Sequence, residues 1–276
     1  MLRTLAICGA AALAIAGAGS AAQANPALPG LTNLNFLSYT GTAPKSGFTS
    51  NNPTGWTGGN GLIFIATPGD STVPSSGCGS TYLSTYGCPS TLHVKGGYNE
   101  VEADANPGFE SGFNYEITGL TPGTTYTLSF YQAASQQRGF ANGLNTTEQW
   151  IVSLGTGGFT TCLGCGPYNA YYHSNESTYA NTDPNASIVA TTKMTTAPGG
   201  LTDWNYVTIN LTADAATQFL SFLAWGNDGT TANLPPIAFL TGVNSPSGLV
   251  PEPAALSVLA AGAVALGVVV RRRRKS

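Results

Sequence analysis

The stretch TGLTPGTTYTLSFY, residues 118–131, joins a turn to a strand. Pro122 presets its own φ, and Gly123 tolerates the positive φ that a type II turn requires. The run from Tyr126 to Tyr131 then offers aromatic and β-branched side chains suited to a pleated, half-buried surface. Just upstream, FNYEI at 113–117 alternates apolar with polar. The two segments are therefore expected to be neighbouring antiparallel strands across a short turn. Further strand candidates are 61–67, 91–95, 149–154, 204–211 and 218–225, each separated from the next by turn-rich sequence. No amphipathic helix of ten residues and no internal repeat is visible. The expected fold class is all-β: an antiparallel β-sandwich over 25–248, followed by one C-terminal transmembrane helix.

Composition agrees. The chain has 276 residues, of which 8% are charged, with 35 glycines and 17 prolines. Four tryptophans, twelve tyrosines and eleven phenylalanines give it ample core material, which argues against disorder. The charges are unevenly placed. Between the two termini, four cations (Lys45, Lys95, Arg138, Lys193) stand against twelve acids, a net charge of −8. Such a body repels nucleic acid and offers no phosphate-binding patch.

The termini read as addresses. Arg3, an apolar run over 5–18 and Ala22-Gln23-Ala24 have the pattern of a secretory signal over 1–24, cleaved before Asn25. At the other end, 254–270 is free of charge. At 1.5 Å per residue it spans roughly 25 Å, the short limit for a membrane helix. The cations from Arg271 to Lys275 hold its end on the cytoplasmic side, leaving the body outside.

Pro251, Glu252 and Pro253, the single short span and the cluster Arg271, Arg272, Arg273 and Arg274 resemble the PEP-CTERM sorting signal of Gram-negative bacteria, here occupying 249–276. The resemblance implies export, recognition and processing by the membrane enzyme exosortase, and association with exopolysaccharide, biofilm or floc material. It implies membrane attachment before processing and a surface or matrix location after it. It names no catalytic activity.

The body resembles secreted jelly-roll domains of the galactose-binding type. The resemblance rests on Asn35-Phe36, on Pro53-Thr-Gly-Trp56, on the 118–130 turn and strand, and on Leu220-Ser-Phe222. Those domains carry an Asp in the last strand. Here that place holds PIAFL, 236–240, so a ligand or metal role served by that acid does not transfer.

Candidate chemistry is sparse. Cys78, Cys88, Cys162 and Cys165 remain after loss of the leader, an even number in an exported chain, which reads as two disulfides. Pairing Cys78 with Cys88 and Cys162 with Cys165 closes two local loops. A redox CxxC is disfavoured by the glycines around Cys162, and a zinc site by the unequal spacings. Glu100, Glu102 and Asp104 alternate, so a strand puts them on one face. A solvated face of an acidic protein is the first reading. Structural calcium held with Glu110 comes second, and a hydrolase carboxylate pair comes third. His93 and His173 adjoin no nucleophile motif. The run YNAYYH, 168–173, sets Tyr168, Asn169, Tyr171, Tyr172 and His173 together. Aromatic faces beside amides suit sugar stacking, although tyrosines packed over a sandwich edge fit the same letters.

The expectation is thus a non-enzymatic, exported surface or matrix protein associated with exopolysaccharide. A carbohydrate-binding module is the alternative, and a secreted glycoside hydrolase follows behind it.

Overall fold

A computed structural model describes residues 24–33, 35–38, 53–58, 63–66, 85, 99–106, 112–138, 143–157, 183–226 and 236–244. Residues 1–23 of the expected leader, the strand expected at 91–95 and the tail expected at 249–276 lie outside these residues. Eleven strands are described: β1 Trp56–Gly58, β2 Ile63–Ala66, β3 Glu100–Asp104, β4 Gly112–Thr118, β5 Thr125–Gln136, β6 Thr146–Gly155, β7 Ser187–Ala190, β8 Met194–Thr196, β9 Asn205–Thr212, β10 Thr217–Gly226 and β11 Pro236–Thr241. No helix occurs among the described residues, and none of them forms a helix long and apolar enough to cross a membrane.

The strands form two antiparallel sheets. One has the order β1-β4-β10-β6-β7, with β8 also on β6; the other runs β2-β3-β11-β5-β9. From β3 to β6, and again from β8 to β11, each strand lies in the sheet opposite the strand before it. Alternation along the strands supplies one apolar face per sheet, and the two faces enclose a common core in the manner of a β-sandwich. From one sheet come Phe113, Ile117, Trp150, Val152, Leu220 and Phe222. From the other come Val101, Leu128, Phe130, Leu211, Ala238 and Leu240.

The turn after Gly119 forms as expected. Gly123 has φ 79°, and the Thr124 N–H donates to the Thr121 carbonyl at 3.0 Å. What it connects differs from expectation. β4 pairs with β1 and β10, whereas β5 pairs with β11 and β9, so the two segments are not neighbours. The reason lies in their faces. Phe113, Tyr115 and Ile117 on one strand and Tyr126, Leu128 and Phe130 on the other are all buried in the same core. A hairpin would set both stripes side by side on one sheet, whereas an arch between sheets makes each the cover of the other. The Tyr126 hydroxyl pins that arch by accepting the Thr121 N–H at 2.9 Å.

Phe36 and Trp56, the residues that carried part of the galactose-binding resemblance, are buried with their rings 5.4 Å apart. Trp56 in turn meets Phe113 at 5.2 Å, and Phe113 stacks on Phe222 at 5.1 Å. Each such pair adds about 0.5–1.5 kcal/mol beyond burial alone. Gly55 must be glycine here: its φ is +88°, and a Cβ would sit 2.7 Å from the Tyr115 ring.

One end of the sandwich gathers the chain's entry and exit. There Gly123 N–H donates to the Ala213 carbonyl at 2.7 Å, tying the β4–β5 and β9–β10 turns together. The Thr127 N–H donates to Pro26 at 2.8 Å. Asn244, three residues past β11, donates its N–H to Ser129 and its side-chain amide to the Leu28 carbonyl at 3.1 Å.

Candidate functional site

The three acids of β3 share one face, as alternation requires, but that face is not solvated. Glu100, Glu102 and Asp104 are 1%, 0% and 2% exposed. This corrects the first sequence reading. β3 is an interior strand, flanked by β2 and β11, and both of its faces are covered: Val101 and Ala103 enter the core while the acids are buried on the other side. In register, Glu102 lies beside Phe239 and Asp104 beside Ile237. β2, β11 and β5 bring no charged residue to this sheet.

Burial disfavours the ionised form. The Glu100 carboxyl is pushed up to about 8. Desolvation raises that of Asp104 to about 7, against the opposing pull of the Asn106 N–H, which donates to its Oδ1 at 2.7 Å. Near pH 7 Glu100 is therefore largely protonated and Asp104 about half so. Among the described residues no three acids, cysteines or histidines are grouped to hold a metal ion. A carboxyl group without exposed surface also cannot meet a substrate in this conformation.

A second polar cluster was not foreseen. Gln136, at the end of β5, donates through Nε2 to the Leu144 carbonyl (3.0 Å), the Thr146 hydroxyl (3.1 Å) and the Thr196 carbonyl (3.3 Å). Its Oε1 accepts the Gly199 N–H at 2.9 Å. Glu148 accepts the Thr146 hydroxyl on one oxygen and the Thr196 hydroxyl on the other, the latter at 2.9 Å. The cluster joins β5 of one sheet to β6 and β8 of the other, and all its side chains are buried. Such a satisfied network fixes the segments around it. Sequence alone gave little sign of it, since a Gln or Thr in a strand reads as surface.

A third arrangement closes the long connection between β6 and β7. The Asp183 carboxylate accepts the Thr156 N–H at 2.7 Å and the Thr156 hydroxyl at 2.8 Å, and its other oxygen accepts the Asn185 N–H at 2.9 Å. The Thr156 N–H, first among these donors, holds the Asp183 carboxyl below its usual range. The sequence reading missed this cluster; the letters Asp183-Pro184-Asn185 carry a turn signal, but nothing in them points to Thr156. The connection that Asp183 and Thr156 close carries Cys162, Cys165, Tyr168, Asn169, Tyr171, Tyr172 and His173. These residues, together with Cys78, Cys88, His93 and Glu110, lie outside the described residues, as do Pro251, Glu252, Pro253 and Arg271 to Arg274.

No protein-family model matches the sequence, and no curated protein matches it significantly. Among solved structures, the chain is similar to the enzymatically active domain of tailspike protein 4 of bacteriophage CBA120, at 14% identity and a TM-score of 0.30. That match covers 73% of this chain and 20% of the other, so this chain spans about one fifth of the tailspike's length. It is also similar to TmCBM61, solved with β-1,4-galactotriose, at 8% identity and a TM-score of 0.28, covering 69% and 89% of the two chains. A third similar structure is described as a carbohydrate-binding module of the β-sandwich superfamily, at 9% identity and a TM-score of 0.22, covering 68% and 56%. Likeness at this level transfers no site onto this chain.

Proposed function

We propose that the chain is an exported, non-enzymatic protein of the cell surface or extracellular matrix, delivered by its tail and associated with exopolysaccharide. The observation that carries this reading is the three-part sequence at 250–276, set opposite an N-terminal secretory signal. A scaffold role is compatible with the body, whose alternating acids on β3 are buried. Strands that change sheets in succession support a jelly-roll winding.

Replacing Pro251, Glu252 and Pro253 with alanines tests the delivery step. The leader should still be removed, but the protein should stay in the inner-membrane fraction with its tail attached. A variant that reaches the matrix with the same mass as the parent would overturn the reading.

A second reading makes the sandwich a carbohydrate-binding module. The specific observation in its favour is the 168–173 run, whose tyrosines, amide and imidazole match the faces and edges of a pyranose. Asp183 and Thr156 fix the roots of the connection that carries it.

A further inference from the structure

The described start and end of the fold lie at one end of the sandwich. Residues 25–28 and Asn244 meet beside the first half of β5: Pro26 accepts the Thr127 N–H, Leu28 accepts the Asn244 amide, and Asn25 donates to the Asn210 side chain at 3.3 Å. The leader therefore joins the fold, and the tail leaves it, at the same end. Nine residues, 245–253, separate Asn244 from the apolar span. Fully extended they reach about 30 Å. β5 alone, with 12 residues, is about 40 Å long. The linker is thus shorter than the body it carries.

We propose that, while the tail anchors the chain, the sandwich stands with the end formed by the β4–β5 and β9–β10 turns toward the membrane. Its opposite end, where the Gln136 cluster fixes the segments around Leu144 and Gly199, then points away from the membrane. This inference rests on the reading of the tail as an anchor. The outward end also displays Leu144 and Leu201, 53% and 41% exposed. Ser135 bridges Leu201, and Gln136 holds the Leu144 carbonyl, so one short stretch of β5 positions both.

The test uses the leader-processed chain with its tail intact, in vesicles of phosphatidylethanolamine and phosphatidylglycerol that carry an acceptor dye on the headgroups. A donor dye is attached through an unnatural amino acid, leaving the cysteines untouched, at Glu116 or Thr121 on one end and at Leu144 or Leu201 on the other. Flotation of the vesicles reads anchoring, and energy transfer reads orientation. Transfer should be several-fold stronger from 116 and 121 than from 144 and 201. Equal or reversed transfer from floated protein would overturn the orientation while leaving the anchor intact. Failure to float would overturn the anchor reading and this inference with it.

Discussion

Burial in β3 raises the carboxyl values of Glu100 and Asp104, and that has a consequence for stability. Each binds a proton more tightly folded than unfolded, since the carboxyl values are raised from 4.5 to about 8 and from 3.8 to about 7. Between these limits the folded state holds more protons than the unfolded chain, so stability falls as pH rises. The two groups cost nothing below about pH 4, where both states are protonated, and weigh fully against folding above about pH 8. Thermal melts should therefore show a melting temperature that declines from pH 5 to pH 8.5, with a shallower decline in Glu100→Gln. A parallel decline in the variant would remove Glu100 as a cause. The alternation that places these acids on one face was plain in the letters E-V-E-A-D. Their burial was not. It depends on β3 taking an interior place in its sheet, and nothing within the five residues specifies that place.

Elements were legible where the side-chain pattern is local. β2, β4, β5, β6, β9 and β10 each overlap a segment that the sequence marks as a strand from its aromatic and β-branched residues, whereas only the resemblance gave β11 its place. Pairing was less legible, since it depends on partners distant in sequence. The turn at Pro122 and Gly123 serves an arch as readily as a hairpin, and only the long pairing of β10 with β4 and β6 shows which it is. The Gln136 cluster belongs to the same class, joining residues up to 63 apart. Substituting Gln136→Leu would leave the Leu144 and Thr196 carbonyls and the Gly199 N–H without their bonds. Each buried group so orphaned costs about 1–3 kcal/mol. Partial relaxation toward solvent should leave a net loss of about 3 kcal/mol, measured by denaturant unfolding. A loss below about 1 kcal/mol would show that the cluster does not fix this end of the sandwich.

At the scale of the whole molecule, the body and its termini carry different information. The sandwich is held by an aromatic core and by polar clusters that tie one sheet to the other, and such packing states little about partners. The termini carry the proposed destination, and the meeting of residues 25–28 with Asn244 at one end is the basis of the proposed orientation. The account's central claim is that the delivered sandwich is retained by polysaccharide. Mature protein and purified matrix polysaccharide, mixed over a range of polysaccharide concentrations and then sedimented, test it most directly. The account predicts saturable pelleting that increases with polysaccharide and is competed by soluble fragments of the same polymer. Protein that stays in the supernatant at every concentration would contradict it.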